Sequence, residues 1–309
     1  MEKNPKQTEV KNKIATVLKN ELGWSVNASK LNPATDSFAN HVFFFSFNNE
    51  TFYAKYFPTV FKDNESVDKP EGSFLREFTI YEFLNKRNYK VAPEFIFRAR
   101  NEPILITKSW GSGNFLSKLN SLTQEEILKQ ITCVISKAVL FRSYLMDSQV
   151  RLTLGSQLNV FSRLQEQYLI HKPLQRLGLS PQDATLFEDN YSILQKDLAI
   201  GDLSLKNILV KDSDVRFCDF ESIFLAPLVF DISYLTADLL SKVSLQNEED
   251  LLKKIDFLCE EKLNPQERAL FFPLVSICMS YRTSNTVNSS SKKEWSQDLL
   301  QTIFHTRML

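Results

Sequence analysis

The stretch GDLSLKNILVKDSDVRFCDFES, residues 201–222, decides how this chain is read. Two apolar runs, NILV and VRFC, flank the polar KDSD (211–214), a pattern that predicts a β-hairpin with Asp212 and Asp214 as turn residues. Asp202 lies five residues before Asn207, in the loop entering the first run, and Asp219 follows the second. If the two runs pair, the hairpin brings a carboxylate, an amide and a second carboxylate to its open end. Asp and Asn favour turns on their own account, so a bare D-x-x-x-x-N carries little weight. Its weight comes from the adjoining apolar runs, the DFE tripeptide and a later aspartate in PLVFDISYL (227–235).

The rest of the sequence sets bounds. With 309 residues there is room for one large domain or two lobes, and the 43% hydrophobic and 24% charged content is ordinary for a globular chain. The net charge of zero gives no general reason to expect nucleic acid or an anionic membrane as partner. The longest mostly apolar segment, ALFFPLVSICMSY (269–281), is too short to span a bilayer. The polar beginning, MEKNPKQTEVKNK, shows no signal-peptide apolar run, so a cytoplasmic location is the expectation. Cysteines 133, 218, 259 and 278 have no zinc-like or disulfide-framework spacing, and three scattered histidines do not suggest a metal site or a triad. Phe is abundant at 25 residues and Gly scarce at 7, so any phosphate-cradling loop must work without glycines.

Periodicity divides the chain. Residues 6–22 predict an amphipathic helix; VFFFSF (42–47) and TFYAKYF (51–57) predict an aromatic hairpin; 58–72 reads as a loop. A helix is expected over 73–86 with Ser73 as N-cap, followed by strands at 94–100 and 103–110. GSGN (111–114) supplies a break. Beyond it helices are expected from Thr123, where Glu126 completes a capping box, to about Met146, then at 156–177, 181–195, 230–244, 247–262, 265–282 and 290–306. Apart from the 207–218 hairpin, the second half is helical.

A hairpin mouth lined with hard oxygen donors suits phosphoryl transfer, in which positioning and charge stabilisation by a divalent cation carry most of the catalysis. At this point the string GDLSLKNILV…VRFCDFES resembles the catalytic and metal-binding segments of the aminoglycoside phosphotransferase and choline kinase-like family, a branch of the protein-kinase-like fold. The resemblance implies an α+β bilobal architecture, with a small β-rich nucleotide-binding lobe over 1–108 and a helical catalytic and substrate lobe over 109–309. It implies that Asp202 orients and deprotonates an acceptor hydroxyl, that Asn207 and Asp219 hold Mg²⁺, and that Asp231 is structural, bonding backbone N–H groups of the catalytic loop. Two positions depart from the family pattern. The histidine two residues before the catalytic aspartate is Ile200, which puts loop rigidity in question, and the position two after it is Ser204. Lys206 reads either as a phosphate contact or as a solvated side chain.

In TFYAKYF, Phe52, Ala54 and Tyr56 alternate with Tyr53, Lys55 and Phe57. Lys55 stands among aromatics, a costly place for an ammonium unless it meets an anion. It matches the third-strand lysine of kinases, which implies contact with the α- and β-phosphates. Its helix partner is Glu77 or Glu82 on helical-wheel grounds, and the family's Arg-Glu pattern at Arg76-Glu77 favours Glu77. By the same resemblance ATDSFANHV (34–42) corresponds to the nucleotide loop, keeping Ser37 and Asn40, and ILITKSW (104–110) to the hinge, with adenine near Lys108, Ser109 and Trp110. The implied activity is transfer of the γ-phosphate of ATP, or alternatively GTP, with Mg²⁺, to a hydroxyl of an aminoglycoside-, macrolide-, choline- or sugar-like small molecule. The competing expectation is a nucleotide-binding pseudokinase or scaffold, motivated by Ile200 and the glycine-free loop.

Overall fold

The computed structural model describes residues 5–34, 41–58, 70–111, 113–146, 148–243, 248–285 and 295–306. It divides into an N-terminal unit, Met1–Gly111, and a C-terminal unit, Ser112–Leu309.

The N-terminal unit runs α1 (Pro5–Leu22), β1 (Asn32–Pro33), β2 (His41–Phe47), β3 (Glu50–Tyr56), α2 (Pro70–Lys86), β4 (Phe95–Arg98) and β5 (Ile104–Lys108). The strands form an antiparallel sheet in the order β1-β2-β3-β5-β4. Asn48 and Asn49, both with positive φ, close the β2–β3 turn; asparagine tolerates this conformation better than most residues, and a hairpin turn of this hand requires it. Alternation then sorts the side chains. Phe43, Phe45, Phe52, Ala54 and Tyr56 join Val10, Ile14, Val17 and Leu18 of α1 in one core. On the other face Phe57 meets Phe74 of α2, with ring centroids 5.4 Å apart.

Helix α2 begins at Pro70, so Ser73 lies inside it rather than capping it. Proline suits a first turn because its missing N–H would have no helical partner there. The part of the expected 58–72 loop before Pro70 lies, from residue 59, outside the described residues.

The C-terminal unit runs α3 (Phe115–Lys118), α4 (Gln124–Leu145), α5 (Ser148–Glu166), α6 (Lys172–Arg176), α7 (Pro181–Ser192), β6 (Asp197–Ala199), β7 (Ile208–Lys211), β8 (Asp214–Phe217), β9 (Phe224–Ala226), α8 (Leu228–Leu240), α9 (Glu248–Cys259), α10 (Pro265–Ala269), α11 (Phe271–Asn285) and α12 (Gln297–His305). Thr123 and Glu126 form the expected reciprocal cap of α4. Three helical boundaries differ from the sequence reading. Helix α5 starts well before 156 and breaks its regularity at Gly155. A π-helical turn, Gln167–His171, joins α5 to α6. The expected helix over 265–282 is two helices, because Pro273 cannot donate to the carbonyl four residues earlier and its ring would crowd it, so α11 restarts just ahead of Pro273. Among the described residues no helix is long and apolar enough to cross a membrane.

Strands β7 and β8 pair as the KDSD turn predicted, from Ile208↔Phe217 to Lys211↔Asp214. A second short pair, β6 with β9, brackets them. Phe141 of α4 pins this region: it stacks on Phe220 at 5.3 Å and meets Phe217 edge-on at 5.9 Å, and all three are fully buried. Phe141→Ala is expected to cost about 3–5 kcal/mol in chemical denaturation, as for other buried phenylalanines. A loss well below that range would show that the hairpin does not depend on this contact.

Candidate active site

In the N-terminal unit, the aromatic alternation of β3 presents Lys55 toward α2. Its Nζ donates to Glu77 Oε2 at 2.6 Å and lies 4.8 Å from the centroid of the Phe57 ring. Glu77 is 3% exposed, which makes this a largely desolvated ion pair. Such a pair persists because each charge removes the penalty of burying the other; truncating one partner of a buried pair typically costs about 3–5 kcal/mol. Glu82, the alternative on the helical wheel, instead pairs with Lys86 at 3.3 Å on the outer side of α2. Lys55 and Glu77 are thus the two candidates that this unit brings together.

At the end of β5, Lys108 forms an ion pair with Glu50. Its backbone N–H donates to Glu94 O at 2.9 Å, and that of Ser109 donates to Thr51 O at 2.8 Å. These two donors are committed to neighbouring backbone, so a base at this segment would have to be met by other backbone groups. Trp110 follows, half-buried. Ser37 and Asn40 lie outside the described residues.

In the C-terminal unit the loop between β6 and β7 carries Asp202 and Asn207. Asn207 Nδ2 donates to both the backbone carbonyl and the Oδ2 of Asp202, each at 3.0 Å. The amide is therefore oriented, with Oδ1 as its remaining acceptor. Cys218 N–H donates to Asn207 O at 3.0 Å, so Asp219 begins one residue beyond a direct bond to the Asn207 backbone. Asp219 itself adopts a left-handed conformation, φ 68° and ψ 62°, which aspartate tolerates better than most residues and which often marks functional turns. Lys206 Nζ lies 3.5 Å from Asp202 Oδ2. Burial opposes its charge, but the Asp202 and Asp219 carboxylates outweigh burial and hold this ammonium above the ordinary lysine value.

The loop is anchored from α8, a helix buried on every side. Asp231, in its first turn, accepts from the N–H groups of Ile200 and Gly201, each at 3.1 Å. Arg142 of α4 reaches the same carboxylate at 3.4 Å and donates to Ala226 O at 2.7 Å. Complete burial nevertheless dominates and pushes the Asp231 carboxyl above the usual aspartate range.

No protein-family model matches the sequence, and no curated protein matches it significantly. Solved structures do match, over nearly the whole chain. An amicoumacin kinase, solved in complex with AMP-PNP, Ca²⁺ and Ami, aligns with a TM-score of 0.63 at 10% identity, over 97% of this chain and 96% of its own. An ethanolamine kinase from Plasmodium vivax aligns at 0.58 and 13% identity, over 100% and 96%. A choline/ethanolamine kinase family protein from Mesorhizobium loti aligns at 0.57 and 13% identity, over 97% and 91%. The chain has the aminoglycoside phosphotransferase and choline kinase-like fold. This is a protein-kinase-like fold, with an antiparallel five-stranded sheet followed by a mostly helical part.

Within this fold the sequence reading missed three residues around the loop. Asp238, two helical turns after Asp231 and so on the same face of α8, accepts from Leu205 N–H at 2.7 Å. Arg282 of α11 forms an ion pair with Asp238, and Arg142 does so with Asp231. A signal was present: two carboxylates seven residues apart in an otherwise uncharged helix are costly to bury unless each meets donors.

Gly201 is the other element the loop requires. Its φ is +81°, and a Cβ there would overlap the carbonyl oxygen of Ser222. Gly201→Ala is expected to lower stability by about 2 kcal/mol or more, from left-handed strain plus the backbone clash. An unchanged midpoint in thermal or urea unfolding would contradict this placement.

Proposed function

We propose that the chain is a phosphotransferase that moves the γ-phosphate of a magnesium-bound nucleoside triphosphate, ATP in the first instance, onto a hydroxyl of a small molecule. The observation that carries this reading is the Asp202–Asn207 contact at the mouth of a paired hairpin, with Asp219 one residue past the Cys218–Asn207 bond. The donor set suits Mg²⁺: an amide oxygen and a carboxylate are the hard ligands this ion takes, and the bonds from Asn207 Nδ2 to Asp202 orient the amide oxygen as acceptor. The amicoumacin kinase solved with AMP-PNP and Ca²⁺ lends support from the same fold.

In this reading the nucleotide-binding portion is 1–108 and the catalytic and substrate portion 109–309. Bound Mg²⁺–ATP supplies the electrophilic phosphorus and neutralises charge developing on the phosphate oxygens. Asn207 and Asp219 hold the metal. Lys55, held by Glu77, offers its ammonium to the phosphates, and Ser37 and Asn40 belong to the loop over them. Lys108, Ser109 and Trp110 line the base. Asp202 Oδ accepts the hydrogen bond of the acceptor hydroxyl, orients its lone pair and takes its proton as transfer proceeds. Asp231 acts through the backbone, fixing the loop that carries Asp202.

Asp202→Ala is expected to reduce ADP release in an acceptor screen by about 10²–10⁴-fold, the usual worth of a positioned base, while Mg²⁺–ATP still raises the melting temperature. Lys55→Met is expected to weaken that nucleotide-dependent shift. If the wild-type chain binds Mg²⁺–ATP yet releases no ADP with any acceptor, the scaffold reading replaces the enzyme reading.

A further inference from the structure

Two carboxylates of α8 hold the chain on either side of Asp202. Asp231 accepts from the N–H groups of Ile200 and Gly201 before it, and Asp238 accepts from Leu205 N–H after it, at 2.7 Å. Leu205 opens a single tight helical turn, Leu205–Asn207, which ends on the amide proposed above as a metal ligand. The turn closes through Asn207 N–H to Ser204 O at 2.9 Å. Its far end is tied to the hairpin through Cys218 N–H to Asn207 O at 3.0 Å. A serine at the start of such a turn ordinarily caps it. Ser204 does not: it makes no capping bond, and its buried hydroxyl has no hydrogen-bond partner among the described residues. The side chain that meets the first N–H of the turn comes instead from α8.

The two oxygens of the buried Asp238 are divided. Oδ2 takes Leu205 N–H, and Oδ1 faces the guanidinium of Arg282 from α11. Arg282 in turn lies over the Tyr234 ring, its Cζ 5.4 Å from the centroid, so the carboxylate is aimed from a packed surface. A three-residue turn held at both ends has one position; released at Leu205, it is hinged on the hairpin. Asn207 then shifts, while Asp202 keeps the backbone anchor that Asp231 provides. Divalent cations that demand near-ideal coordination are sensitive to the partners that aim their ligands. On the reading of Asn207 and Asp219 as the metal ligands, we propose that Asp238 is a positioning residue for the divalent cation. Aimed by Arg282, it fixes the turn that carries Asn207 and touches neither metal nor substrate.

The full-length chain is titrated with AMP-PNP by calorimetry, once with Mn²⁺ and once with EDTA. The ratio of the two dissociation constants gives the metal's share of binding, independently of turnover. Asp238→Ala is expected to lower that ratio about tenfold, the smaller end of what outer partners of a metal site contribute, with binding in EDTA unchanged. Asp238→Asn keeps an oxygen for Leu205 N–H and should recover most of the loss. Phe187→Ala removes a buried side chain from the contact with Phe304 of α12 and should leave the ratio alone. A fall there as large as in Asp238→Ala would reduce Asp238 to a general structural role. An unchanged ratio in folded Asp238→Ala overturns the proposal. Should that variant not fold, Arg282→Gln carries the test: its ratio is expected to fall and to return in Arg282→Lys, and no change overturns the proposal equally. If the wild-type chain binds AMP-PNP equally well in Mn²⁺ and in EDTA, what falls instead is the reading of Asn207 and Asp219 as metal ligands.

Discussion

The C-terminal unit depends on two aspartates buried in an apolar helix. Asp231 and Asp238 stand two turns apart on α8 and together hold the backbone N–H groups of Ile200, Gly201 and Leu205. The Asp202 carboxylate of the loop is engaged by Asn207 and Lys206, and these three donors are met from the helix. The arginines from α4 and α11 offset the cost of burying the helix carboxylates. Replacing such ion pairs with apolar residues often leaves stability unchanged or better. Their value here lies in the fixed direction of three N–H groups, which greasy packing would not specify.

What was legible in the sequence follows from range. The hairpin over 207–218 could be read because its strands are neighbours in sequence and its turn chemistry is local. Lys55 was legible because a charge in an alternating aromatic strand requires an explanation, and the burial of Glu77 supplies it. Arg142, Asp238 and Arg282 were not, since each earns its role from a partner on another element that no local pattern encodes. Strands β6 and β9 span only three residues each, too few for a period to declare itself. The boundary at Pro70 and the break before Pro273 were missed for another reason. Helix α2 starts upstream of its first apolar residue, and the break before Pro273 falls inside a continuous apolar run, so in both places proline and not periodicity marks the boundary.

The position of Ile200 bears on how much of this fold can vary. A histidine side chain there would help to brace the loop, and its replacement by a fully buried isoleucine raised the question of rigidity. Yet the bracing that can be seen runs through the backbone of residue 200, not its side chain: the N–H meets Asp231, and the next N–H meets the same carboxylate. An apolar side chain at 200 then adds to the core instead of competing for that carboxylate. Gly201 follows because the chain must pass against the Ser222 carbonyl in a left-handed conformation. Backbone bonds place few demands on side-chain identity, so a loop held in this way can keep its geometry while most of the surrounding sequence changes. Whole chains at 10–13% identity share this fold, so it does not require the same residues over most of its length.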